Sequence, residues 1–170
     1  NARKTAEQKL TLQRNAEGRP YARNSAFNNN LAQATVQSQP GQLAKLLASH
    51  RDNAIAQNLL GDIYQVRGMY PQAISYYRRA TEFAKGWIKP WFNLGMANLV
   101  VNPTEATEDF KRVIELDPKN LQAQLWLGDA YVARQDYTSA LTAYGNAASS
   151  PQLSAAARSR MGNVYLKQNN

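Results

Sequence analysis

Small and apolar residues return along this chain at a fixed interval. Four glycines, each preceded by leucine or methionine, occur as Leu60-Gly61, Leu94-Gly95, Leu127-Gly128 and Met161-Gly162, at spacings of 34, 33 and 34 residues. Tyrosine stands three residues after three of them, as Tyr64, Tyr131 and Tyr165, and Asn98 takes the remaining place. Twelve residues after Gly61 and Gly128 begin the patterns Ala73-x3-Tyr77-x2-Ala80 and Ala140-x3-Tyr144-x2-Ala147. The second unit offers Ala106, Phe110 and Val113, and its alanine arrives after eleven residues, so its turn is one residue short near Asn102-Pro103. Apolar positions three and four apart mark one face of a helix, so each interval predicts two amphipathic helices joined by a turn. Small residues let two helices cross closely, and a unit too small to hide its apolar face alone must stack on its neighbours.

This phase places units at 54–87, 88–120 and 121–154, with a single terminal helix at 155–168. Upstream, 24–37 and 41–50 carry helical periodicity and Ser38-Gln-Pro-Gly41 supplies a turn, so 24–53 is expected to be a degenerate helical repeat. Residues 1–23 read as a weak helix around 5–16 followed by a loop broken by Gly18 and Pro20. The chain stops at Lys167-Gln-Asn-Asn170, where a turn should begin, which reads as a segment cut from a longer array, with a closing cap helix as the other reading.

These residues resemble the tetratricopeptide repeat, a 34-residue helix–turn–helix with the signature W-x2-L-G-x2-Y, then A-x3-F and a closing proline. The second unit supplies Trp91-Phe-Asn-Leu94-Gly95 and a closing Asp117-Pro118. The resemblance implies an all-α, right-handed superhelical solenoid without strands, in which the first helix of each pair lines a concave groove that holds a peptide or a helix of another protein. Taking the helix phase from the glycines, that groove would comprise Asn58, Leu59 and Asp62, then Lys89, Phe92, Asn93 and Met96. The later helices would add Gln122, Leu125, Trp126 and Asp129, then Ser159, Arg160 and Asn163. For Leu59, Leu125 and Trp126, packing against the next repeat is an equal alternative, and packing is the default for Trp87 and Trp91. One subgroup grips the C-terminal carboxylate of chaperones with Lys, Arg and Asn on this face. Asn93 fits that pattern, but Asn58, Asp62, Gln122 and Trp126 hold the neighbouring places, and a carboxylate without cationic partners is costly to bury, so such a clamp is disfavoured.

Composition narrows the chemistry. Apolar residues make up 44% of the 170, and no apolar run reaches the ~18 residues a membrane helix needs. With no cysteine there is no disulfide, thiolate site or thiol nucleophile. His50 is the only histidine and lies near a predicted helix end, which suits a surface or capping role. Glu105, Glu108 and Asp109 form the one dense acidic group, in the first turn of a predicted helix where the helix dipole favours negative charge. Neither G-x-G-x-x-G nor a P-loop is present, so the expectation is no catalytic site, no metal and no cofactor.

Net charge is +8 and concentrated at the front: residues 1–53 carry eight Lys/Arg against Glu7, Glu17 and Asp52, and residues 54–170 carry twelve against nine. The basic segment 1–23 reads as a tether, and a nucleic-acid-binding arm is the alternative function. The leading expectation is a scaffold or adaptor for another protein. By analogy of repeat type its setting leans to a bacterial envelope assembly, such as pilus, secretion or polysaccharide export, while the compartment stays open.

Overall fold

The computed structural model describes residues 52–168. The expected tether 1–23, His50 and all of the degenerate repeat 24–53 except Asp52 and Asn53 lie outside the described residues. Within them are seven helices and no strand: α1 (Ala54–Val66), α2 (Tyr70–Phe83), α3 (Ile88–Val101), α4 (Pro103–Leu116), α5 (Leu121–Ala133), α6 (Tyr137–Ala147) and α7 (Pro151–Gln168). The chain divides into two compact units between Pro90 and Trp91.

In the first unit α1 packs along α2. Asn53 starts α1: its side-chain oxygen accepts from the amides of Ile55 at 3.0 Å and Ala56 at 3.2 Å, which satisfies two of the free donors at a helix start. Leu60, Ala73, Tyr77 and Ala80 are buried at the crossing. The Tyr77 ring lies so close to Gly61 that a Cβ there would sit 2.4 Å from its Cε1, so only glycine fits. Trp87 packs with Ala54, Ile55 and Ala84, the packing role expected of it.

In the second unit α4 packs on α5, α5 on α6, and α7 on both α5 and α6. One apolar cluster gathers Ala106, Phe110, Leu127, Ala130 and Ala143, with Phe92, Met96, Leu99 and Trp126 against it. A second gathers Leu125, Ala140, Tyr144, Ala147, Ala157 and Val164. Asn102, Asn120 and Asp136 cap α4, α5 and α6 through their side-chain oxygens. The last helix begins at Pro151 rather than at residue 155. Proline is preorganised for a first helical position, and the Ser150 carbonyl accepts from the Ser154 amide at 2.8 Å.

The short turn of the middle repeat has a physical explanation. Seven residues after Gly61 and Gly128 stand Gly68 and Gln135, whose φ angles are +70° and +63°, the left-handed residues that reverse the chain between paired helices. The corresponding position after Gly95 is Asn102, which does two jobs at once. Its amide donates to the Asn98 carbonyl at 2.6 Å, closing α3, and its side chain accepts from the Glu105 amide at 3.4 Å, opening α4. The left-handed residue is thereby dispensed with. Gln135 bears a Cβ where Gly68 does not, so Gln135→Gly should stabilise by about 0.5–1 kcal/mol, the steric relief exceeding the entropy cost of glycine. A urea midpoint unchanged or lower in the variant contradicts this.

Candidate functional site

The residue after each repeat glycine is set by the aromatic that covers that glycine. Tyr77 donates its hydroxyl proton toward Asp62 Oδ1 at 2.8 Å, with Gln65 Oε1 also at 2.7 Å, and Tyr144 donates to Asp129 Oδ1 at 2.6 Å. In the middle repeat the covering ring is Phe110, which has no hydroxyl, and Met96 stands where the aspartate would be, packed in the apolar cluster. Aspartate goes with tyrosine and methionine with phenylalanine, because a half-buried carboxylate needs its donor. A second pair changes in the same way: Tyr64 stacks on Tyr76 at 5.2 Å in the first repeat, whereas buried Asn98 donates to buried Asp109 at 2.7 Å in the middle one.

Burial pushes the Asp62 carboxyl above its ordinary range, opposed by the Tyr77 hydroxyl and by Lys89, whose Nζ is 3.9 Å away. Burial likewise pushes the Tyr77 and Tyr144 phenols up, reinforced by their aspartate partners. A carboxyl whose folded pKa is raised contributes stability that is present below its unfolded pKa, about 3.9, and is lost as pH rises through the folded value. Asp62→Asn keeps an acceptor for Tyr77 but cannot ionise. Its melting temperature should therefore gain on that of the parent chain between pH 4 and 7, and a constant difference across that range contradicts the assignment.

The expected groove residues separate into open and occupied positions. In the first unit Lys89 is exposed and Leu59 half-buried, but Asn58 is 1% exposed, with its side-chain amide donating to Asp62 Oδ2 at 3.2 Å. Asn58 is therefore an internal strut, not an open contact. In the second unit Leu125 is buried in the α5–α7 cluster, so the packing alternative holds for it. Phe92 and Met96 are half-buried, Phe92 meeting Phe110 edge-on with centroids 5.7 Å apart. Asn93 is half-buried, and Gln122, Ser159 and Asn163 are exposed.

Trp126, Asp129 and Arg160 belong to one cluster. The Arg160 Nε donates to both oxygens of Asp129, at 2.9 and 3.1 Å, while its guanidinium lies 5.6 Å from the centroid of the Trp126 ring. With Tyr144 on the same carboxylate, this ties α5, α6 and α7 together. Asp129 and Arg160 thus fix the face rather than stand ready as open charges. The same face extends further than the glycine phase indicated. A depression of about 560 Å³ is lined by Leu99, Asp129, Val132, Ala133, Gln135, Tyr137 and Lys167. Leu99 and Val132 follow Met96 and Asp129 by three residues, so carrying the helical period one more turn locates them.

The acidic group has local partners. Asn102 caps α4 and its amide donates back to Glu105 Oε1 at 3.2 Å, Glu108 pairs with Lys111 at 3.0 Å, and Asp109 is the buried partner of Asn98. Among the described residues no group of histidine, cysteine or carboxylates is arranged to hold a metal ion, and no helix is long and apolar enough to cross a membrane.

A sequence model of the family described as tetratricopeptide repeat matches residues 41–86 and 102–154. Among solved structures, MamA from Desulfovibrio magneticus RS-1 superposes with a TM-score of 0.74 at 14% identity, over 84% of this chain and 84% of that one. The first tetratricopeptide domain of Spaghetti, bound to an HSP90 peptide, gives 0.64 at 18% identity, over 69% of this chain and 94% of that one. A domain of yeast Sti1 in complex with an Hsp70 peptide gives 0.61 at 23% identity, over 67% and 97%. At these identities the likeness shows a shared fold.

Proposed function

The chain belongs to the tetratricopeptide repeat family, and from that premise we propose that it is a non-catalytic scaffold whose first-helix face holds a segment of another protein. The observation that carries the reading is the second unit's surface. Exposed Gln122 and Asn163 offer amides able to bond both donors and acceptors of a peptide backbone. The same unit presents half-buried Phe92, Met96 and Trp126 and the depression whose lining includes Leu99 and Val132, which suit apolar anchors. In this unit Asn93 contributes from the same helix as Phe92 and Met96, while Leu125 acts from within; in the first unit Asp62 and Lys89 hold the corresponding first-helix positions, with Asn58 acting from within. Two neighbours of the same fold hold peptides, which supports the mode of binding. Arg160 is committed to Asp129, which further disfavours capture of a chaperone tail carboxylate.

The proposal includes a setting, carried over from the type of repeat: a bacterial envelope assembly, with the basic segment 1–23 as its tether. Recovery of the native protein wholly in the cytosolic fraction overturns that setting and leaves the groove reading intact.

The groove is tested with a dodecapeptide selected from a random library against this chain. Trp126→Ala should weaken that peptide by about thirtyfold, the effect of losing a central anchor worth roughly 2 kcal/mol. Equal affinity for the variant and the parent chain overturns the reading.

A further inference from the structure

Each of the first three repeat glycines lies under an aromatic ring from the helix that follows. The rings belong to Tyr77 over Gly61, Phe110 over Gly95 and Tyr144 over Gly128. Gly162, on α7, is the fourth member of the series, and apart from its chain neighbours and its own helix backbone no heavy atom of the described residues lies within 4 Å of where its Cβ would be. The same helix exposes Tyr165 and Leu166, which are 50% and 67% accessible. Tyr165 corresponds in register to Tyr64, which in the first repeat stacks on Tyr76 of the covering helix. Thus α7 carries in its own register the glycine position on which α1, α3 and α5 each seat the helix that follows.

We propose that this face of α7 receives an acidic amphipathic helix of a partner protein, carrying the pattern Ala-x3-Tyr, with its tyrosine ring on Gly162 and its hydroxyl toward Asn163. The ring follows from the three internal seams. Tyrosine rather than phenylalanine follows from the residue after the glycine: aspartate accompanies Tyr77 and Tyr144, methionine accompanies Phe110, and Asn163 supplies a polar acceptor. The acidic character follows from charge. Helix α7 contains no aspartate or glutamate, and while Arg160 is paired with Asp129, Arg158 and Lys167 are exposed on it. A second copy of the chain is a poorer occupant, since two such helices would bring like charges together. This surface adjoins the proposed groove, with which it shares Asn163 and Lys167, but the argument from Gly162, Tyr165 and Leu166 does not rest on the groove reading.

The probe is a hydrocarbon-stapled peptide with the sequence of residues 103–117 and the change Phe110→Tyr. That segment has the Ala-x3-aromatic pattern and an acidic balance, and stapling is needed because so short a helix is marginal in water. Fluorescence anisotropy should show saturable binding to the chain that weakens with added salt. Gly162→Leu in the chain, or a peptide with Phe110→Ala in place of Phe110→Tyr, should each weaken it at least about tenfold, while the melting temperature of the Gly162→Leu chain does not fall because no other helix crowds that position. Leu166→Glu, a change at an exposed position, provides a second variant and should weaken binding as strongly. Absence of saturable binding at about 1 mM, or equal binding by both chain variants, overturns the proposal. So does sedimentation showing that the chain dimerises and that Gly162→Leu abolishes the dimer, which assigns the face to a second copy.

Discussion

Gly128→Leu should lower the stability of the second unit by more than about 3 kcal/mol, from overpacking of about 1–3 kcal/mol together with loss of a hydrogen bond to a charged group. A Cβ on Gly128 would sit 2.4 Å from Tyr144 Cε1, 2.5 Å from Cδ1 and 2.9 Å from Cζ. The ring has little room to retreat. Tyr144 is 2% exposed, packs with Leu125, Ala140 and Val164, and has its hydroxyl held by Asp129. Any displacement that admits leucine therefore breaks the Tyr144–Asp129 bond and disturbs the carboxylate that also holds Arg160. The same substitution at Gly162 meets no neighbour, so the two leucine variants separate crowding from helix propensity. A fall in melting temperature of more than about 10 °C is expected for Gly128→Leu. A value within about two degrees of the parent chain contradicts the packing described.

The repeat phase was legible in the sequence because three of its glycines, Gly61, Gly95 and Gly128, meet aromatic rings at helix crossings that leave no room for a larger side chain. The positions of the first six described helices follow from that phase, whereas the last begins four residues early at Pro151, and the missing residue near Asn102-Pro103 marks the turn in which Asn102 serves both helices. The carboxylates Asp62 and Asp129 were legible as members of the first-helix face, but not their ties to Tyr77 and Tyr144. Those ties join residues 15 apart, and the clue was that, among the three repeats with a covering aromatic, aspartate is absent only where phenylalanine replaces tyrosine. Asn58 shows the limit of reading a face from periodicity alone. An amide looks like a surface residue, yet this one is buried because Asp62, one turn on, accepts its proton. Leu99 and Val132, which line the depression, lie one helical turn beyond the stripe that the glycine phase marks.

Asn93→Ala combined with Gln122→Ala should weaken the selected dodecapeptide by roughly 5- to 100-fold if each lost hydrogen bond costs about 0.5–1.5 kcal/mol and the effects add. The two contribute differently. Gln122 is exposed, so its truncation should leave the melting curve unmoved, whereas Asn93 is half-buried and has partners within the protein, so its truncation also carries a small stability cost. Each single variant therefore has to be measured, with Gln122→Ala as the cleaner one. Arg78→Ala with Arg79→Ala, at exposed positions of α2, should leave the same affinity unchanged. If the arginine pair abolishes binding and the amide pair does not, the working surface is on the second helices.

The most direct measurement is the amide spectrum of ¹⁵N-labelled chain titrated with the selected dodecapeptide. The shifted resonances should concentrate on the first-helix face of the second unit, at Phe92, Asn93, Met96, Gln122 and Trp126, with the side-chain amide of Gln122 among them. Shifts concentrated instead at Thr138, Thr142 and Asn146, on the exposed side of α6, with α5 unmoved, would contradict the proposed groove.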